Sequence, residues 1–210
     1  MTNAASLIQA VQDRFPNAVQ AAHAYRGDAT VIIGREFLLE IARTLKEDPA
    51  FQMNFLMDLT AVDFSTFGTK RSPAFFAHSG VAVKPSPEIP DEDPWPGPPG
   101  THPSADAAPG TPGPHSSARF VIVCHLYSLV LKHRLRVEVP VEEDDAEVDS
   151  LTSVWASADW LEREVWDMFG IRFRGHPNLK RILLYDEFVG HPLRKDYPVN
   201  RRQPLIGPVN

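Results

Sequence analysis

The sequence predicts an α+β fold: a two-layer sandwich in which a mixed sheet of about five strands carries helices on one face, with an extended C-terminal tail and a Pro-rich insertion added. Three observations lead there. Segments with strand character outnumber the helices needed to cover both faces of a sheet. Residues 133–139 alternate strictly, with Leu135, Val137 and Val139 on one side and Arg134, Arg136 and Glu138 on the other, the pattern of a half-exposed strand. Three further segments repeat apolar residues at helical spacing.

Leu7, Ile8, Val11 and Phe15 mark the first amphipathic helix, which Pro16 ends because a prolyl nitrogen has no proton to donate. Residues 19–25 and 30–33 read as a strand pair turned at Gly27-Asp28. Leu38, Ile41, Ala42 and Leu45 give the second helix its apolar face. Residues 55–64 read as a strand, with Asp63 expected at its end facing water and Asp58 expected to cap a turn. Residues 120–127 are apolar on both faces, as a central strand would be, and residues 128–132 turn it into an antiparallel hairpin with 133–139. The acid run Glu142, Glu143, Asp144, Asp145, Glu147, Asp149 reads as a solvated loop held open by like charge. A short helix from Ser150 to Trp155 is expected next. A longer one over 159–169 then presents Leu161, Val165, Met168 and Phe169 on one face, with Asp159 and Glu162 as a capping box and Gly170 as the C-terminal cap.

A different composition interrupts this pattern at 71–117. Eleven prolines and four glycines fill half of the window from Pro85 to Pro114, too few donors for helix or ladder, so the stretch reads as a disordered surface insertion. The body is therefore assigned to residues 1–170 with this insertion inside it, and a tail to 171–210. The tail holds eight basic residues against three acidic ones, a charge of +5, which leaves −11 on residues 1–170 of a chain whose net charge is −6. Its cations are interleaved with Leu, Ile and Pro instead of gathered in a run, which argues against nucleic acid and for a protein partner with mixed apolar and acidic surface.

No run reaches the roughly 20 apolar residues of a membrane-spanning helix, and the first ten residues lack the basic-then-apolar order of a signal peptide. The single cysteine, Cys124, excludes an internal disulfide and cannot alone hold a cluster or structural zinc; a reducing, cytosolic setting fits. There is no Gly-rich phosphate loop, no HExxH, no CxxC and no GxSxG. Within 159–169, Glu162, Glu164 and Asp167 have acid-base chemistry, yet Arg163 and Asp167 stand at i, i+4 and are expected to pair as surface or interface salt bridges. Two Gly-His-Pro triplets carry His176 and His191, close in sequence to Asp186, Glu187 and Asp196. They admit two readings: a His/carboxylate site in a stand-alone metal-dependent enzyme, or structural corners in which glycine supplies a positive dihedral and proline stiffens the turn.

The run WLEREVWDMFGIRFRGHPNLKRILL, followed by GHPLRKDYP, closely resembles the signature of the C subunit, or thirty-kilodalton subunit, of proton-pumping NADH:quinone oxidoreductase, respiratory complex I. The likeness extends upstream through FLMDLTAVDF and YSLVLKHRLRVEVPV and leaves out the Pro-rich insertion and the residues after Pro198. It implies a cofactor-free α+β subunit of the peripheral arm, on the cytoplasmic side of the inner membrane and attached to it only through the complex. FMN, iron-sulfur clusters and quinone would belong to partner subunits. The tail would wrap onto the D subunit, which with the neighbouring B subunit helps form the quinone site. Glu162, Arg163, Glu164, Asp167, His176, Arg181, His191, Arg194, Lys195, Asp196 and Tyr197 become the partner-docking candidates. A chain cut after Gly170 is then expected to keep a folded body and lose assembly.

Overall fold

The structure, a computed structural model, describes residues 3–65 and 118–203. The Pro-rich insertion assigned to 71–117 falls outside them. Helix α1 (Ala4–Arg14) starts where the Asn3 side chain accepts from the Ala5 amide at 3.4 Å and ends at Phe15, immediately before Pro16. Strands β1 (Val19–Tyr25) and β2 (Asp28–Ile33) form a hairpin. Its turn is Arg26-Gly27, one residue earlier than expected, with both residues left-handed (φ 50° and 89°), the pair of positive dihedrals that matches strand twist in a two-residue hairpin. Helix α2 (Leu38–Glu47) buries Leu38, Ile41, Ala42 and Leu45 as its spacing predicts.

Strands β3 (Phe55–Asp63), β4 (Phe120–Tyr127) and β5 (Arg134–Val141) complete a five-stranded sheet in the order β1-β2-β5-β4-β3. Only β2 and β5 run parallel, so the sheet is mixed. Leu56, Leu59 and Ala61 of β3, Phe120, Ile122, Cys124 and Leu126 of β4, and Leu135, Val137 and Val139 of β5 share one core. The apolar faces of α1, α2 and helix α3 (Ala158–Phe169) join them there. Burial pushes the Cys124 thiol up to about 12, which keeps it protonated. Two readings of the aspartates in β3 change. Asp58 is exposed in mid-strand opposite His125 and caps no turn. Asp63 is buried, because a cation and two amides converge on it, two of the three from distant segments.

The acid run is exposed from 142 to 145, as its charge suggests, but several of its members are paired. Asp145 pairs with Arg35, Glu143 with Arg119, and Asp149 with Arg174 at 2.7 Å. Its end, Glu147–Asp149, is strand β6, parallel to β7 (Arg172–Arg174) in a second, two-stranded sheet. Residues 150–155 make turns with a single i→i+4 bond from Trp155 to Leu151, not the short helix expected. The body also extends past the boundary drawn at 170. Ile171 and Phe173 are enclosed members of the main core, so the tail supplies core side chains to its own chain.

Helix α3 departs most from its sequence pattern. Gly170 closes it in the left-handed conformation (φ 76°), as predicted, but Ser157 occupies the N-cap and no capping box forms. Glu162, Arg163 and Asp167, expected on solvated faces, are buried. One side of α3 packs on the sheet through Val165, Met168 and Phe169; another is covered by residues 180–194 of the tail. Trp160 and Glu164 are left as its exposed stripe.

Candidate docking surface

Asp167 organises the tail. One carboxylate oxygen accepts from three successive amides, Ile182, Leu183 and Leu184, at 3.1, 3.0 and 3.0 Å. The other meets Arg181 Nη1 at 2.5 Å. Burial alone would raise this carboxyl; the three amides and the guanidinium outweigh it and hold the group below the usual carboxylate range. Arg181 also donates to the carbonyls of Phe188 and Gly190 at 2.9 and 3.3 Å, so a single ion pair closes the loop from 181 to 190. The expected Arg163–Asp167 pair does not form. Arg163 donates instead to the carbonyls of Lys180 and Arg181, both at 3.1 Å, with its guanidinium 5.0 Å from the Trp160 ring.

A second buried aspartate holds the end of the tail. Asp63 Oδ2 accepts from Arg119 Nη2 at 3.0 Å and from the Lys195 amide at 2.9 Å, and Oδ1 accepts from the Ser65 amide. Desolvation pushes its carboxyl up, but these donors overcome it and bring it down to about 2. Arg119 reaches Asp196 as well, at 2.7 Å, and joins the end of β3, the start of β4, the acid run and the tail. Its role carries no local sequence signal, since its partners are 24, 56 and 77 residues away.

The remaining candidates are mostly turned inward too. His176 Nδ1 accepts from the Asn178 amide, which leaves Nε2 to donate to the Asp159 carbonyl at 3.1 Å. His191 Nδ1 bonds the Asp167 carbonyl at 3.0 Å, and burial shifts this ring toward its neutral form. Gly175 and Gly190 both have positive φ, as the corner reading requires. Among the described residues, no three His, Cys, Asp or Glu side chains come together as a cation site would need. Arg194 Nε donates to the Phe169 carbonyl at 2.5 Å, and Tyr197 stacks on Phe188 with centroids 6.1 Å apart. Glu162 is enclosed under the core: Oε1 accepts from the Leu151 amide at 2.6 Å and Oε2 from the Ser150 hydroxyl at 2.7 Å. Of the candidates, Glu164, Lys195 and Asp196 alone are exposed.

The outer side of the tail has a different character. Leu183 is 61% exposed, Val189 and Leu193 49% each, Val199 88%, and Trp160 beside Arg163 61%. Lys180, Lys195, Arg201 and Arg202 are exposed among them, together with Asp186, Glu187 and Asp196. Sequence reasoning missed these outward apolar residues. No local sequence signal marks them, since they lie in turns whose backbone bonds to distant residues.

The description "Respiratory-chain NADH dehydrogenase, 30 Kd subunit" belongs to a family model that matches residues 102–203. The chain is 38% identical to the C subunit of NADH-quinone oxidoreductase from Citrifermentans bemidjiense, over 94% of this chain and 92% of that one. It is 36% identical to the protein of the same name from Coxiella burnetii, over 100% and 82%. Among solved structures, a trypsin-resistant fragment of Nqo5 aligns with a TM-score of 0.51 at 26% identity, covering 82% of this chain and 98% of that one. A chain of an archaeal membrane-bound sulfane sulfur reductase shares the fold, with a TM-score of 0.58 at 17% identity over 93% and 86%. With the family model and sequence identity along nearly the full length in agreement, the chain belongs to the thirty-kilodalton, or C, subunit family of NADH-quinone oxidoreductase, respiratory complex I.

Proposed function

We propose that this chain is a non-catalytic structural and assembly subunit of the peripheral arm. It docks onto the D subunit near the quinone-reducing module, next to the B subunit, and supports electron transfer from NADH to quinone on the cytoplasmic side of the inner membrane. FMN, iron-sulfur clusters and quinone are held by its partners. One observation carries the reading: the tail bonds its backbone and the side chains of Arg181, Arg194 and Asp196 to its own body while leaving Leu183, Val189, Leu193 and Val199 in water. Exposed apolar groups on an otherwise well-satisfied segment mark a surface made for another protein. A non-catalytic role is supported by the occupations of the titratable groups. His176 and His191 bond backbone carbonyls, Asp63 and Asp167 are tied to arginines, and the one thiol is enclosed.

Cross-linking of the assembled complex followed by mass spectrometry tests this. Cross-links from Lys180 and Lys195 should fall on the D subunit. A chain that purifies alone with a stoichiometric transition metal, lost in a His176→Ala, His191→Ala double variant, would instead favour the stand-alone metal enzyme.

A further inference from the structure

The docking residues lie on a segment of loops without regular structure from 175 to 203, and free loops make poor binding surfaces because ordering each residue costs free energy at the moment of binding. This segment is bonded to its own body at several places. Asp167 and Arg181 fix residues 181–190. The Leu193 amide donates to the Met168 carbonyl at 3.1 Å, and Arg194 to the Phe169 carbonyl. Asp63 fixes the Lys195 amide, and Arg119 fixes Asp196. Phe188 sits between Tyr185 and Tyr197, with centroids 5.7 and 6.1 Å away, and fills the inside of the loop.

Each anchor takes hold of backbone, of an inward side chain or of the Asp196 carboxylate, and none takes hold of the side chains of Leu183, Val189 or Leu193. Arg181 bridges to the carbonyls on either side of Val189, while the amide of Leu183 is held by Asp167. The two residues are thereby set in place by a carboxylate that is itself out of reach of any partner. We infer that Asp167 and Arg181 are positioning residues for assembly: they hold the chain's own tail as a preformed apolar platform, and the protein it receives presents an apolar surface with an acidic rim. The acidic rim follows from the exposed Lys180, Lys195, Arg201 and Arg202, which outnumber the exposed acids Asp186, Glu187 and Asp196 around the apolar residues, the last of these being already paired with Arg119. The inference rests on the docking role proposed above and adds that the tail is ordered before it binds.

The test uses the full chain, tagged and expressed in cells that make the rest of the complex. Two quantities are read for each variant: hydrogen exchange at the Ile182, Leu183 and Leu184 amides in the isolated chain, and recovery of the other subunits with the tag. In the wild type the three amides should be protected although they lie in a loop. Asp167→Asn should speed their exchange about tenfold or more, equivalent to about 1.4 kcal/mol, and lower recovery by a similar factor. Should Asp167→Asn not accumulate, Arg181→Lys carries the test through recovery, which should fall, since it keeps a cation on Asp167 and gives up the bonds to Phe188 and Gly190 that set Val189. A Leu183→Glu, Leu193→Glu pair should leave exchange unchanged and abolish recovery. Loss of protection with wild-type recovery overturns the preformed platform, as does an unprotected wild type. Full recovery of the double glutamate variant overturns the docking role itself. Wild-type recovery that does not fall with salt overturns the acidic rim.

Discussion

Replacing Glu162 with glutamine should make the stability of this chain less sensitive to pH. The Glu162 carboxyl is fully enclosed beneath the turn at Ser150-Leu151, and no cation among the described residues is bonded to it. Two opposing effects act on it. Bonds from the Leu151 amide and the Ser150 hydroxyl favour the ionised form, by roughly 1.5–3 kcal/mol each for a charged acceptor. Taking a carboxylate out of water without a countercharge costs several kcal/mol or more. Desolvation wins, helped by the negative charge of Asp159, and the carboxyl rises from 4.5 to about 7. Because the folded value lies above the unfolded one, the folded protein binds the extra proton between those two values. Its stability is fully present below the unfolded value, falls as pH rises through the window, and levels off above the folded value. At about 1.4 kcal/mol for each pH unit, the full cost is about 3 kcal/mol, most of it incurred above pH 5. Glu162→Gln keeps both hydrogen bonds, with the amide nitrogen donating to Ser150 Oγ, and cannot ionise. Urea denaturation of both proteins at pH 5 and pH 8 isolates the effect, since other titrating groups cancel in the comparison. The variant should gain about 2–3 kcal/mol on the wild type between the two pH values. A difference independent of pH would refute the reasoning, because the carboxyl would then titrate alike in the folded and unfolded chain.

Asp63 should show the opposite dependence: with its carboxyl lowered from 3.8 to about 2, it contributes stability above about pH 4 that is lost as pH falls toward 2. Asp63→Asn should flatten acid unfolding followed by circular dichroism in that window, and an unchanged acid midpoint would count against the Arg119 cluster. Phe173→Ala should cost about 3–5 kcal/mol in urea, as a core aromatic does. For the same reason truncation after Gly170, which also removes Ile171 and β7, should yield insoluble chain and not a stable body. Gly170→Ala should be far more damaging than Gly175→Ala in thermal melts. Both have positive φ, worth about 1–2 kcal/mol, but a methyl at 170 meets the His191 ring at 2.6 Å and Arg194 at 2.8 Å, whereas nothing lies within 4 Å of one at 175.

Periodicity made much of the body legible. The four buried residues of α2, the alternation of β5 and the left-handed cap at Gly170 all follow from local spacing. Local spacing misleads on α3, where Glu162, Arg163 and Asp167 look like a solvated side. The rule that polar residues face water holds only when nothing nearby can satisfy them. Here the satisfying groups are amides and carbonyls of residues 150–151 and 180–184, which belong to turns with no period to detect. Burial of Asp63 was illegible for the same reason, because its partners arrive from positions 119 and 195. The aromatic content of the tail did indicate that it must be covered. Its cover proves to be the core of the same chain at Phe173, Leu179 and Leu184.

The rung where β3 meets β4 has a consequence of another kind. Asp63 pairs with Phe120, and the Phe64 amide donates to the Arg119 carbonyl at 2.8 Å, so the chain departs from and rejoins the sheet at adjacent points. Any length spliced between those points leaves every strand beside its present neighbour. For a flexible linker a tenfold change in length alters the closure term by only about 2 kcal/mol. Members of the family can therefore differ in size here without refolding, and a fluorescent domain with neighbouring termini can be inserted here to follow the chain into its complex.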